Sequence, residues 1–251
     1  MLRVAEVVKH FGGLRALGGA SFEAPVDGIT GLIGPNGSGK STLFNVITGF
    51  YRPDAGTVSL GETTLTGLPP WEVARRGIVR TFQLTRIFPR MTCLENLLFA
   101  PAGQPGEGLV AALVRPPRVR RVEARLRVRA EELLSRVELA PHADVLAGSL
   151  SYGQQKLLEL GRALMTDPQL LLLDEPAAGI NPALLDRLVD LIRGLHAEGK
   201  GFLIVEHDMR LVMTLCQRVV VLDYGQTIAA GTPEEISRDP RVLDAYLGSG
   251  A

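Results

Sequence analysis

Residues 34–42 read GPNGSGKST: three glycines, a proline and an asparagine set between the apolar runs ITGLI (29–33) and LFNVITGF (43–50). A chain that places its most flexible residues between two segments that both read as buried is shaping its backbone there. Gly34, Gly39, Lys40 and Ser41 match the pattern G-x-x-x-x-G-K-S/T, after a strand signal and before a helix signal, as the phosphate-binding loop requires. Glycines let successive backbone N–H groups turn toward one centre, and the positive end of the following helix adds to the attraction for phosphate oxygens. Lys40 would then reach the β- and γ-phosphates, and the Ser41 hydroxyl would ligate Mg²⁺. The bland alternative is a glycine-rich turn that binds nothing. A dinucleotide fingerprint starting at Gly37 fails, because Thr42 stands where a glycine is needed.

Around this loop lie other strand-like runs: LRVAEVV, ASFEA and TVSL before position 60, and LLLLD, GFLIVEH and VVVLDYG after position 169. The later runs are continuously apolar, as buried parallel strands are. From about Pro89 to Met165 helical signals replace the strand signals, broken by PAGQPGEG and RPPR. The expectation is an α/β fold in a single domain, 1–251, with a helical subdomain at about 89–165 inserted in the core.

The 251 residues, 46% hydrophobic, suffice for a substantial core, and 27 basic residues balance 27 acidic ones. No global field draws the chain to nucleic acid or to an anionic surface. Cys93 and Cys216 have no metal-like spacing and suit a reducing compartment. No apolar run approaches the roughly 18 residues a membrane span needs, so a cytoplasmic chain is expected.

LLLLDEP ends a buried strand in two carboxylates. Since a strand sends consecutive side chains to opposite faces, Asp174 is assigned to the Mg²⁺ shell and Glu175 to polarising the water that attacks the γ-phosphate. His207, at the end of GFLIVEHD, falls at the same sheet edge if the strands are parallel, and there it can hydrogen-bond the γ-phosphate. Ser151 is a good N-cap for SYGQQKLLELGRAL, and Gly153 leaves that helix start open to an anion.

Taken in order, GPNGSGKS, Gln83 in RTFQ, LSYGQ at 150–154, LLLLDEP and His207 resemble the nucleotide-binding domains of ATP-binding cassette (ABC) proteins across nearly the whole chain. FGGLRAL, MTCLENLL, DEPAAGINP, EHDM and the ending DAYLG are similar to the ATPase subunits of bacterial branched-chain amino-acid importers. The resemblance implies a P-loop NTPase core with an N-terminal antiparallel β-subdomain and an inserted helical subdomain. It implies ATP and Mg²⁺ as cofactors, with Gly34, Pro35, Asn36, Gly37, Ser38, Gly39, Lys40, Ser41 and Thr42 on the phosphates and Phe11 stacked on adenine. Ser151, Gly153 and Gln154 would face the ATP of a second ATPase subunit, the same chain or a paralogue, in a head-to-tail dimer. Glu175, His207 and Gln83 would be catalytic, and Ser41, Gln83 and Asp174 would lie on the metal. Tyr152 replaces the usual glycine of the LSGGQ signature, and Ala178-Gly179-Ile180-Asn181 replaces the common serine-alanine-leucine-aspartate.

The implied partners are transmembrane permease subunits and, indirectly, a solute-binding protein, with the chain peripheral on the cytoplasmic face of the inner membrane. Leu84, Ile87, Phe88 and Met91 form a candidate apolar groove for a permease helix. The arginines at 115, 118, 120, 121, 125, 127 and 129 read as the solvated face of a helix near the membrane, paired in part with Glu123, Glu131 and Glu132, rather than as a nucleic-acid site, and no nucleic acid is expected. The cargo stays open, because urea importers and lipopolysaccharide exporters use related ATPases. A soluble ABC ATPase acting on DNA or ribosomes usually carries two nucleotide domains, and this chain has one phosphate loop.

Overall fold

The computed structural model describes residues 1–81, 87–101 and 117–247. The chain forms two compact units, one made of Met1–Gln83, Pro168–Ala178 and Ile192–Ala251, the other of Leu84–Asp167 and Gly179–Leu191.

The first unit holds two sheets. Strands β1 (Leu2–Phe11), β2 (Leu14–Ala24), β4 (Ala55–Leu60) and β5 (Thr63–Thr64) form an antiparallel sheet in the order β2-β1-β4-β5. The second sheet runs β10-β9-β3-β8-β7-β6, from β3 (Ile29–Ile33), β6 (Ile78–Arg80), β7 (Leu170–Asp174), β8 (Gly201–Val205), β9 (Arg218–Asp223) and β10 (Gln226–Gly231). Its first five strands in chain order pair in parallel, and β10 closes the edge as the antiparallel arm of a hairpin. β3, β7 and β8 are buried at every position, as their unbroken apolar runs require. The Tyr224-Gly225 turn joining β9 to β10 has positive φ at both residues, 42° and 75°, which matches the twist of a tight hairpin.

Helix α1 (Lys40–Ile47) supplies Leu43, Phe44, Val46 and Ile47 to one apolar core. The same core takes Leu2, Val4, Val7 and Val58 from the antiparallel sheet and Leu32, Leu172, Leu203 and Val220 from the parallel one. The helix that begins at the glycine loop is thus fixed from both sides by apolar burial. The short α2 (Pro70–Arg75) adds Val73 to this core.

The second unit is helical, with α3 (Cys93–Leu98), α4 (Pro117–Arg136), α5 (Tyr152–Leu164) and the first half of α6 (Pro182–Ala197). The expected subdomain limits, 89 and 165, omit Gly179–Leu191. This stretch groups with the helices because the Leu184 side chain fills the space beside Gly153, and Arg187 pairs with Glu138 at 2.8 Å. Helices α7 (Met209–Leu215), α8 (Pro233–Arg238) and α9 (Pro240–Leu247) complete the first unit.

Candidate functional site

The loop after β3 holds its shape through three glycines at positive φ: Gly34 at 151°, Gly37 at 80° and Gly39 at 102°. A Cβ on Gly34 would overlap the Leu222 carbonyl of β9, and one on Gly39 would sit 2.6 Å from the Ala16 carbonyl of β2. Glycine is therefore required twice over, by backbone conformation and by close approach. Gly39 is also the N-cap of α1, with no side chain covering the first N–H groups of the helix.

Lys40 is 6% exposed and curls back into the loop, donating to the carbonyls of Gly34 and Pro35, both at 2.8 Å, and to Ser38 Oγ at 3.3 Å. Burial lowers its pKa, and the negative charges of Glu175 and Asp174 act against that shift. A lysine held by three oxygens within one loop can exchange them for stronger anionic acceptors. Pro35, Gly39 and Thr42 are half-buried, while Asn36, Gly37 and Ser41 are exposed.

Asp174, at the end of β7, accepts from Arg80 Nη2 at 2.6 Å, and both side chains are almost fully buried. Arg80 also donates to Asn45 Oδ1 on α1 at 2.6 Å and lies 5.4 Å from the Phe44 ring centre. Neither Arg80 nor Asn45 was singled out by sequence reasoning. The available signal was an arginine ending the apolar run GIVR, which becomes β6 beside β7.

Glu175 departs from the expectation in geometry. It lies outside β7 with φ of 49°, so a left-handed turn, rather than strand alternation, separates its carboxylate from that of Asp174. Its N–H donates to the Val205 carbonyl at 2.9 Å, and its Oε1 is 2.8 Å from His207 Nε2. His207 sits two residues beyond the end of β8, rather than ending it. Between them, buried Glu206 accepts from the N–H groups of Ala177 at 2.7 Å and His207 at 3.1 Å, tying the turn after β7 to the end of β8. Burial raises the Glu206 pKa, while backbone N–H donors, led by that of Ala177, work to lower it. This buried carboxylate was also missed, hidden among the polar residues of VEHD.

Phe11, at the end of β1, is 42% exposed and meets Tyr51 edge-on with centroids 5.2 Å apart. Gln83 and Leu84 lie outside the described residues. Among the described residues no group of three or more histidine, cysteine or acidic side chains is placed to hold a metal ion.

In the helical unit Ser151 caps α5 as expected. Its Oγ accepts from the Gln154 N–H at 3.3 Å, and Gln154 Oε1 accepts from the Ser151 N–H at 3.0 Å, a reciprocal capping box. Ser151 and Tyr152 are exposed and Gly153 is buried. The departures from the usual signature fit one another: Gly179, at φ of 72°, leaves the space that the Tyr152 ring occupies, since a Cβ there would lie 3.0 Å from the ring. Asn181 caps the start of α6, its Oδ1 accepting from the Leu184 N–H at 2.9 Å.

In the same unit Phe88 meets Phe99 edge-on at 4.7 Å, and Arg162 lies 5.2 Å from the Phe88 ring centre. Phe99 is 61% exposed. Asn96, fully buried, holds the preceding turn by accepting from the Phe88 N–H at 2.8 Å and donating to the Phe88 carbonyl at 3.0 Å.

A parallel sheet carrying a glycine loop, a buried lysine and edge carboxylates defines a phosphate-binding-loop nucleotide hydrolase. The family model described as ABC transporter matches residues 17–178, and that of the branched-chain amino acid ATP-binding cassette transporter matches residues 226–251. Over 251 residues the chain is 45% identical to the high-affinity branched-chain amino acid transport ATP-binding protein LivG of Salmonella typhimurium, covering 99% of this chain and 98% of that protein. A crystal structure of the ADP conformation of an ATP-binding cassette of an ABC transporter superposes with a TM-score of 0.85 at 40% identity, over 99% of this chain and 98% of that one. A dimeric post-hydrolysis cassette bound to ADP and Pi superposes at 0.77 with 25% identity, over 93% of this chain and 99% of that one. The chain belongs to the ABC transporter family, as one of its nucleotide-binding, ATP-hydrolysing transport subunits. Among the described residues no helix is long and apolar enough to cross a membrane.

Proposed function

We propose that the chain binds ATP with Mg²⁺ and hydrolyses it to drive a membrane importer for branched-chain amino acids, working from the cytoplasmic face of the inner membrane. The observation that carries the hydrolytic reading is the Glu175–His207 contact, held by the left-handed turn after β7 and by Glu206. In this reading Phe11 stacks on adenine, and Gly34 to Thr42 wrap the phosphates with their N–H groups. Lys40 gives up its loop carbonyls for the β- and γ-phosphates. Glu175 orients and deprotonates the attacking water, and His207 holds both Glu175 and the γ-phosphate.

The donor set at this edge suits Mg²⁺. Ser41 offers a hydroxyl, Asp174, whose Oδ2 is held by Arg80, would act on the ion through a water, and such an ion takes its remaining ligands from phosphate and water. Bound there with Gln83, it would neutralise charge on the β- and γ-phosphates.

Ser151, Gly153 and Gln154 are assigned to the γ-phosphate held by a second ATPase subunit, the same chain or a paralogue, in a head-to-tail dimer. Closure on ATP and release after hydrolysis would then work the permease, which docks near Ile87, Phe88 and Met91. A solute-binding protein on the far side would deliver the cargo. The cargo class rests on the match at 226–251 and on the names its relatives carry.

Uptake of labelled leucine, measured in a strain whose only copy carries Glu175→Gln, tests the reading. Loss of uptake with the protein still at the membrane is expected. Undiminished uptake would remove either the catalytic assignment or the cargo, and ATPase assay of the purified variant would tell which.

A further inference from the structure

Helix α4 is charged against its own dipole. From Pro117 to Ala130 it carries six arginines and one glutamate, Glu123, with no acidic residue in its first turn. The positive end of a helix disfavours cations and favours carboxylates, so this arrangement does not serve the stability of the helix. Nor does it serve packing: Val119, Ala130, Leu133 and Leu134 bury one stripe of the helix, while Arg118, Arg120, Arg121, Arg125 and Arg127 lie outside it and are exposed. Arg127 pairs with Glu131 at 3.0 Å. Among the described residues, no carboxylate pairs with Arg118, Arg120, Arg121 or Arg125. Arg115, the first arginine of the run, lies outside the described residues.

At 100° per residue, Arg118, Arg121 and Arg125 form one row and Arg120 and Arg127 a second, so the cations spread over a broad arc about 14 Å long. That is the footprint of a plane of anions rather than of one pocketed ligand. Residues 117–136 contain no aromatic side chain on which bases could stack, which argues against single-stranded nucleic acid. The chain is neutral overall, so this local excess would orient it as well as attract it.

We infer that the arginine face of α4 is a contact surface for anionic phospholipid headgroups, one that lays the helical unit against the membrane beside the permease. The inference rests on the family and on this helix, and is independent of the nucleotide-site assignments.

The test is co-sedimentation of the full chain with phosphatidylcholine vesicles, with and without phosphatidylglycerol. Wild type should bind the anionic vesicles at low salt and release as salt rises. Replacing Arg118, Arg121 and Arg125 together by glutamine should lower the partition coefficient roughly a hundredfold, at the strength expected of three basic residues near a charged surface. The same three as lysine should retain binding, and ATPase rates should not change in either variant. Indifference of wild type to phosphatidylglycerol, or a glutamine variant that binds as well, would overturn the proposal. So would loss of permease co-purification in lipid-free detergent with vesicle binding intact, which would make an acidic protein surface the occupant.

Discussion

At the edge where β3, β7 and β8 end, charged groups are buried and held by groups of the same unit: Lys40 by its own loop, Asp174 by Arg80 of neighbouring β6, and Glu206 by backbone N–H groups led by that of Ala177. At the start of α5 the capping groups lie at an exposed helix end, where the Ser151 and Gln154 side chains each bond the other's backbone N–H. The first arrangement is preorganised by the chain that contains it, so its cost is met in folding. The second is a surface, and in the proposed dimer its capping box would change partners for a phosphate held by the second subunit.

Variants can break this contrast from its strongest side downward. Glu175→Gln removes the proposed general base while keeping size and one hydrogen bond to His207. Turnover should fall by roughly 10²- to 10⁴-fold with ATP affinity kept, as measured by steady-state hydrolysis and equilibrium binding. Arg80→Met leaves Asp174 buried without its cation. Unfolding should show a loss of about 3–5 kcal/mol, because the second partner of such a pair is expensive to strand.

Phe88→Asp acts on the exposed aromatic pair of the helical unit and should weaken co-purification with the permease by at least roughly tenfold, the scale of an aromatic anchor at an interface. Nucleotide affinity should stay as in wild type. The smallest effect belongs to Asp54, whose hydrogen bonds with Lys9 and then with the His10 N–H lower its pKa from 3.8 to about 2. A depressed carboxylate pKa stabilises the fold above the ordinary value and stops doing so as pH falls through the depressed one. Asp54→Asn should therefore reduce the dependence of unfolding midpoint on pH between about 4 and 2, and leave hydrolysis at neutral pH unchanged.

Most of the architecture was legible because its signals are local. The glycine loop, the unbroken runs of β7, β8 and β9 and the Ser151 cap each announce an element from a few adjacent residues. The short β5 and β6 were not seen, since a two- or three-residue strand exists only through its partner. The same holds within the site. Lys40, Asp174, Glu175 and His207 stand in recognisable motifs, but Arg80, Asn45 and Glu206 acquire their roles from pairing across strands that are distant in sequence. The separation of Asp174 from Glu175 was expected from strand alternation and arises from a left-handed turn, a backbone feature that a glutamate gives no reason to expect.

The contrast between a complete edge and an incomplete one is tested most directly by Ser151→Ala. The measurement is ATP affinity of the isolated chain, set beside turnover of the assembled transporter. Affinity within about twofold of wild type, with turnover reduced at least roughly tenfold, is the predicted result, because one lost charge-assisted hydrogen bond on a γ-phosphate is worth about 1.5–3 kcal/mol. Weaker ATP binding by the isolated chain, or turnover that does not fall, would contradict the assignment of α5 to the nucleotide of a second subunit.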